Sequence, residues 1–170
     1  MKPLWSRVVR EALFKAPTAR FFLHAGDLVN DPNGDAQWGE WFQAGTWLNA
    51  MTPNFLTPGN HEYDHLPGDG LVDLEKQLST HWRPQFAFPE NGPEGQKELA
   101  YYIDYQGARI VSLNSNRKQA EQVPWLETVL ANNPNPWTIL TFHHPIYSPK
   151  EDRDNPQLRQ IWQPIIDKYR

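Results

Sequence analysis

Stretches with helical spacing and short apolar runs take turns along this chain, and each apolar run stops on a polar cluster rich in turn formers. Leu4, Val8, Val9, Ala12 and Leu13 recur at helical intervals over residues 4–15 and predict a core-facing stripe, closed by Pro17 before a mostly apolar, buried strand at 20–25. Residues 34–51 form a second helical candidate, stopped by Thr52-Pro53 and followed by a short strand at 54–57. Pro, Gly and Asn throughout residues 64–96 mark an excursion over the surface, with one helical candidate at 71–80. Beyond it, 100–105 and 108–113 predict a hairpin about the two-residue turn Gln106-Gly107. A helix at 123–131, a fully buried strand at 137–142 and a helix at 157–169, with Pro164 as its kink or break, complete the pattern.

Alternation of this kind favours an α/β layered fold, in which helices cover a sheet and the binding crevice lies beyond the carboxyl ends of the strands. A length of 170 residues suits one domain, which buries about 70% of its unfolded surface. The net charge of −4 argues against a broad basic surface for nucleic acid or anionic lipid. With no cysteine, disulfides, thiolate metal sites and thiol nucleophiles are all excluded. Charges interrupt every apolar run near the N-terminus, so it reads as neither a signal peptide nor a membrane span, and the chain is expected to be soluble.

Three of the polar clusters carry chemistry. Residues 24–30 read His-Ala-Gly-Asp-Leu-Val-Asn, residues 58–65 read Pro-Gly-Asn-His-Glu-Tyr-Asp-His, and residues 142–147 read Phe-His-His-Pro-Ile-Tyr. Each directly follows an apolar run, so Asp27, Asn60 and His143 all fall at the crevice end of a strand. Carboxylate, amide carbonyl and imidazole are the usual donors to a hard or borderline divalent ion, which points to metal-assisted hydrolysis of a phosphate ester. Singly, Gly-Asp and Gly-Asn are ordinary turn dipeptides. Their order and spacing together give the pattern its weight.

In Gly26-Asp27, Gly59-Asn60-His61-Glu62 and His143-His144-Pro145-Ile146-Tyr147, taken in that order, the chain resembles the calcineurin-like metallophosphoesterases of the purple-acid-phosphatase-like branch. The resemblance implies a layered α/β/β/α sandwich holding two divalent metal ions, of manganese, zinc or iron. It implies that Asp27 bridges the metals, that Asn60 and His143 ligate the second one, and that a metal-bridging hydroxide attacks a phosphomonoester or phosphodiester. His61 then corresponds to the family histidine that contacts phosphate and assists the leaving oxygen. Asn30, Glu62, His144 and Tyr147 are candidates for orienting those groups or touching substrate.

Set against the family pattern, the chain has no Asp-x-His or Asp-x-Gly motif ahead of Gly26 and no Gly-His-x-His motif after the last helix, so a domain incomplete at both ends, with impaired activity, is expected. Asn30 stands where the purple branch carries its iron-binding tyrosine, and no tyrosinate colour is expected. Unpaired sheet edges would favour self-association. A noncatalytic remnant serving as a binding module is the rival reading, and relatives of this branch are often exported.

Other residues have structural explanations. His24 reads as a core histidine, His65 and His81 as solvated loop residues, and Asp31-Pro32-Asn33-Gly34 as a turn. Eight tryptophans invite a sugar-binding reading. Trp38, Trp41, Trp47, Trp125 and Trp162, however, sit at helix-packing positions, which leaves Trp82 as the candidate for substrate contact.

Overall fold

The computed structural model describes residues 2–65 and 75–170. The chain divides into two compact units, one drawn from Met1–Leu56 and Asn60–Gln85, the other from Thr57–Gly59 and Phe86–Arg170.

In the first unit, helix α1 (Lys2–Lys15) leads to strand β1 (Phe22–His24), helices α2 (Asp35–Ala44) and α3 (Thr46–Asn49), and strand β2 (Asn54–Leu56). β1 and β2 pair in parallel, Phe22 opposite Asn54 and His24 opposite Leu56, with the two helices supplying the crossover that parallel strands require. The expected single helix over 34–51 is therefore two, separated at Gly45. A 3-10 turn (Asn60–Glu62), the short antiparallel pair β3 (Tyr63–Asp64) and β4 (Gln77–Leu78), and helix α4 (Trp82–Gln85) follow.

Several expectations need correction here. The helix expected at 71–80 lies partly outside the described residues, and its second half contains β4 instead. Of the α1 stripe only Val9 is fully buried; Leu4 and Val8 are 71% and 52% exposed. β1 is not a buried strand either, because Leu23 on it is 37% exposed. Trp82, the candidate for substrate contact, is fully buried in α4 and joins Trp38, Trp41 and Leu48 among the packed residues of this unit.

His24 behaves as a core histidine. Its ring lies between Trp5 of α1 and Trp41 of α2, at centroid distances of 5.7 and 5.6 Å. Its Nε2 bonds Asn54 Oδ1 at 2.9 Å, while the Asn54 amide nitrogen donates to Asn49 Oδ1 and Thr52 O, so Oδ1 is the acceptor and Nε2 carries the proton. Burial pushes the His24 pKa below its ordinary 6.5, against a smaller upward pull from Asn54. The unfolded chain therefore binds this proton more readily than the folded one. The His24 contribution to stability is complete above pH 6.5 and is lost as pH falls through the lowered folded value. Between pH 8 and pH 5 the melting temperature of the wild type is expected to fall more steeply than that of His24→Gln. Parallel curves would refute this.

The second unit contains a three-stranded sheet in the order β5-β6-β7, where β5 is Tyr101–Tyr105, β6 Ala108–Ser112 and β7 Trp137–Thr141. The predicted hairpin is present, with Tyr105 opposite Ala108 and positive φ angles at both Gln106 (49°) and Gly107 (82°), the backbone a type I′ turn demands. β6 and β7 run parallel, joined by a 3-10 turn (Ala120–Gln122) and helix α5 (Val123–Ala131); helix α6 (Pro156–Lys168) closes the chain. β6 is buried along its whole length, but β7, expected to be fully buried, starts in solvent with Trp137 71% exposed, because it lies at an edge of this sheet. Pro164 does not break α6, which continues to Lys168. Val111 and Leu113 pack with Leu126, Val129 and Leu130 of α5 and with Leu158 and Trp162 of α6.

Candidate metal centre

Just past the carboxyl end of β1, Gly26 and Asp27 both have positive φ angles, 88° and 56°. Glycine adopts this conformation freely, whereas an L residue there costs about 1–2 kcal/mol, and aspartate is among the few that visit it. In this turn the successive N–H groups of Asp27 and Leu28 meet at one point, a small anion-binding nest. Here the nest holds the Glu62 carboxylate: Asp27 N donates to Glu62 Oε2 at 2.8 Å and Leu28 N to Oε1 at 2.7 Å. Glu62 is fully buried, so both bonds act in a low-dielectric setting where a charged acceptor counts most.

A reciprocal bond runs the other way. The N–H of His61 donates to Asp27 Oδ1 at 3.0 Å. The Gly-Asp loop and the Asn-His-Glu turn are thus tied by a side chain from each, which brings Asp27, Asn60, His61 and Glu62 together within the first unit. Asp27 and Asn60 both face solvent. Asp27 also borders an apolar groove of about 460 Å³ formed with Leu4, Val8, Leu23 and Trp41.

His61 is held by its ring as well. Its Nδ1 lies 2.9 Å from the carbonyl oxygen of Asn30, and since a carbonyl only accepts, Nδ1 carries the hydrogen and Nε2 is the nitrogen not used in this bond. Asn30 acts on His61 through its main chain. Its own N–H and that of Asp31 donate to Gln37 Oε1 at 2.9 and 3.1 Å, which anchors the far end of the loop to α2. Asp31 accepts the N–H of Asn33 at 3.0 Å, the turn role its sequence suggested.

In the second unit, His143 follows β7 and is half-buried, its ring edge-to-face with that of His144 at 4.9 Å. Ser115 Oγ accepts the His144 main-chain N–H at 3.0 Å and bonds its Nδ1 at 2.9 Å. The loop bearing Ser115 is built on Gln122, whose Oε1 accepts from Asn114 N and whose Nε2 reaches the carbonyls of Asn114, Arg117 and Lys118. Sequence reasoning passed over Ser115 and Gln122; the polar run Asn114-Ser115-Asn116, just past an apolar strand, was the available signal. Tyr147 is 60% exposed, its hydroxyl donating to Gln163 at 2.6 Å and its ring lying under Arg159.

Among the described residues, no group of three or more His, Asp or Glu side chains forms a ready metal cage. Asp27 and Asn60 nevertheless offer a carboxylate and an amide carbonyl on neighbouring loops, oxygen donors that fit a hard or borderline divalent ion.

A family model described as calcineurin-like phosphoesterase matches residues 4–167. The chain belongs to the calcineurin-like phosphoesterase family. Among curated proteins it is similar to "Probable purple acid phosphatase 20" of Arabidopsis thaliana, 24% identical over 98% of this chain and 40% of that protein. It is also similar to "Purple acid phosphatase 18" of the same plant, 26% identical over 74% of this chain and 29% of that protein. The chain therefore spans less than half the length of these relatives. Among solved structures, purple acid phosphatase PPD1 from yellow lupin (Lupinus luteus) seeds matches 96% of this chain and 31% of its own, with a TM-score of 0.78 at 20% identity. The mixed α/β fold is thus that of the purple acid phosphatases. No helix among the described residues is long and apolar enough to cross a membrane.

Proposed function

We propose that this calcineurin-like chain serves in the hydrolysis of phosphomonoesters or phosphodiesters at a binuclear centre, with Asp27, Asn60 and His143 as metal ligands and His61 against the phosphate. The observation that carries the reading is the double tie between the Gly-Asp and Asn-His-Glu loops, which holds a carboxylate, an amide and an imidazole in one place. Bound metals would supply positive charge for the phosphate oxygens and lower the pKa of an attacking water. His61 then has a defined part. With Nδ1 fixed on the Asn30 carbonyl, Nε2 is the atom offered to a phosphate or leaving-group oxygen. Protonated there, it stabilises developing charge and delivers the proton the leaving alkoxide needs.

A noncatalytic binding module of the same fold is the second reading, favoured by the absence of a three-residue His, Asp or Glu cage among the described residues. Native mass spectrometry after incubation with manganese or zinc, run beside turnover of para-nitrophenyl phosphate and its bis ester, separates the two. The enzyme reading expects bound metal and metal-dependent turnover, with His61→Gln keeping the metal and losing about 10²–10⁴-fold in rate. Bound metal with no turnover of either ester supports the module. No bound metal overturns the centre altogether.

A further inference from the structure

The buried carboxylate of Glu62 has no place among the metal ligands, yet it occupies the one backbone nest in this loop. We propose that Glu62 is the positioning residue of the centre: an internal anion that fixes the left-handed backbone of Asp27 and so aims its carboxylate. This rests on the reading of Asp27 as a metal ligand.

Three observations support it. First, Gly26 and Asp27 hold successive positive φ angles, which cost an L residue about 1–2 kcal/mol and so benefit from contacts that hold them. Second, Glu62 supplies that constraint in bidentate form, one oxygen to each of the N–H groups the conformation creates, at 2.8 and 2.7 Å. Third, Glu62 is only two residues from Asn60, so the same side chain sets the spacing between the two loops that carry Asp27 and Asn60. A consequence concerns the substrate. Backbone nests of this form commonly bind phosphate, but this one is filled from within, so the phosphate must be held by His61 and the metals and not by the Gly26–Leu28 main chain.

The geometry separates the available variants. Glu62→Gln keeps the size of the side chain but leaves one acceptor oxygen and sets an NH2 against a backbone N–H, breaking half the clamp. Leu48→Ala truncates a buried side chain of α3 in the same unit, which takes no part in the Glu62 hydrogen bonds, and provides a variant destabilised by lost packing. Manganese affinity by titration calorimetry and amide hydrogen exchange at Asp27 and Leu28 are measured on the whole chain.

Glu62→Gln is expected to exchange the Asp27 or Leu28 amide at least tenfold faster and to bind manganese about 10–100-fold more weakly, the range seen when partners orienting a metal ligand are lost. Leu48→Ala is expected to melt earlier with both quantities unchanged. If folded Glu62→Gln binds manganese as the wild type does, the positioning role is overturned and the site reading survives. If the wild type binds no manganese, the site reading falls, and unchanged exchange in Glu62→Gln would remove the clamp as well. Should Glu62→Gln fail to fold, Glu62→Asp, which keeps the charge and shortens the reach by one methylene, is read in the same way.

Discussion

Trp162→Ala is expected to lower the unfolding free energy by about 3–5 kcal/mol, the range for removing a fully buried large aromatic. The side chain has no exposed surface and packs in the cluster shared by β6, α5 and α6. It also makes directed contacts that alanine cannot replace: Nε1 donates to the Gln119 carbonyl at 3.0 Å, and the ring meets Phe142 edge-on at 5.3 Å. The Gln119 carbonyl accordingly loses its donor when the indole is removed. Since domains are stable by only about 5–15 kcal/mol in total, the variant should sit near the edge of folding at 37 °C. Trp137→Ala, at a tryptophan 71% exposed, should stay within about 0.5 kcal/mol of the wild type. Urea unfolding of the two variants checks both, and equal midpoints would mean that Trp162 does not occupy the core.

Asp27→Asn is expected to abolish measurable metal binding while leaving the fold intact. Asparagine tolerates the left-handed backbone as aspartate does, and its carbonyl can still accept the His61 N–H, so the φ of 56° and the tie to the 3-10 turn are kept. What it loses is the negative charge and the second carboxylate oxygen, which the proposed role of Asp27 as a metal ligand would use. The affinity loss should exceed the about 10–100-fold typical of a partner that only orients a ligand. Asp27→Ala is the less informative variant, because alanine at positive φ adds strain of about 1–2 kcal/mol. Native mass spectrometry against manganese, with a melting curve for each protein, reads metal and stability separately. An unchanged metal count in Asp27→Asn would remove Asp27 from the centre.

Local signals were legible where chemistry is local. The hairpin follows from Gln106-Gly107, since the turn needs two positive φ angles and glycine supplies one without cost. The carboxyl ends of strands were placed correctly for Asp27 and His143, because an apolar run that stops at a turn former marks its own boundary. The failures have a common cause. Leu4 and Val8 satisfy helical periodicity yet face solvent, and Trp137 belongs to a strand of apolar composition yet starts exposed. Periodicity reports which face could be buried and not whether another element arrives to cover it. Trp82 erred in the opposite sense, because an indole in a Pro-rich stretch gives no local sign of the packing it enters.

By itself, the sequence determined the alternation of elements, the three motifs and hence the family, because donor type and spacing are written residue by residue. Only the tertiary structure decided what Glu62 does. From its sequence, Glu62 could orient His61 or a ligand, or simply cap a turn; what gives it partners is the approach of two N–H groups from residues 34 and 35 positions earlier. Those groups converge where Gly26 and Asp27 both adopt positive φ angles. In this fold the carboxylate that meets those groups comes from a loop distant in sequence, which no local pattern could announce.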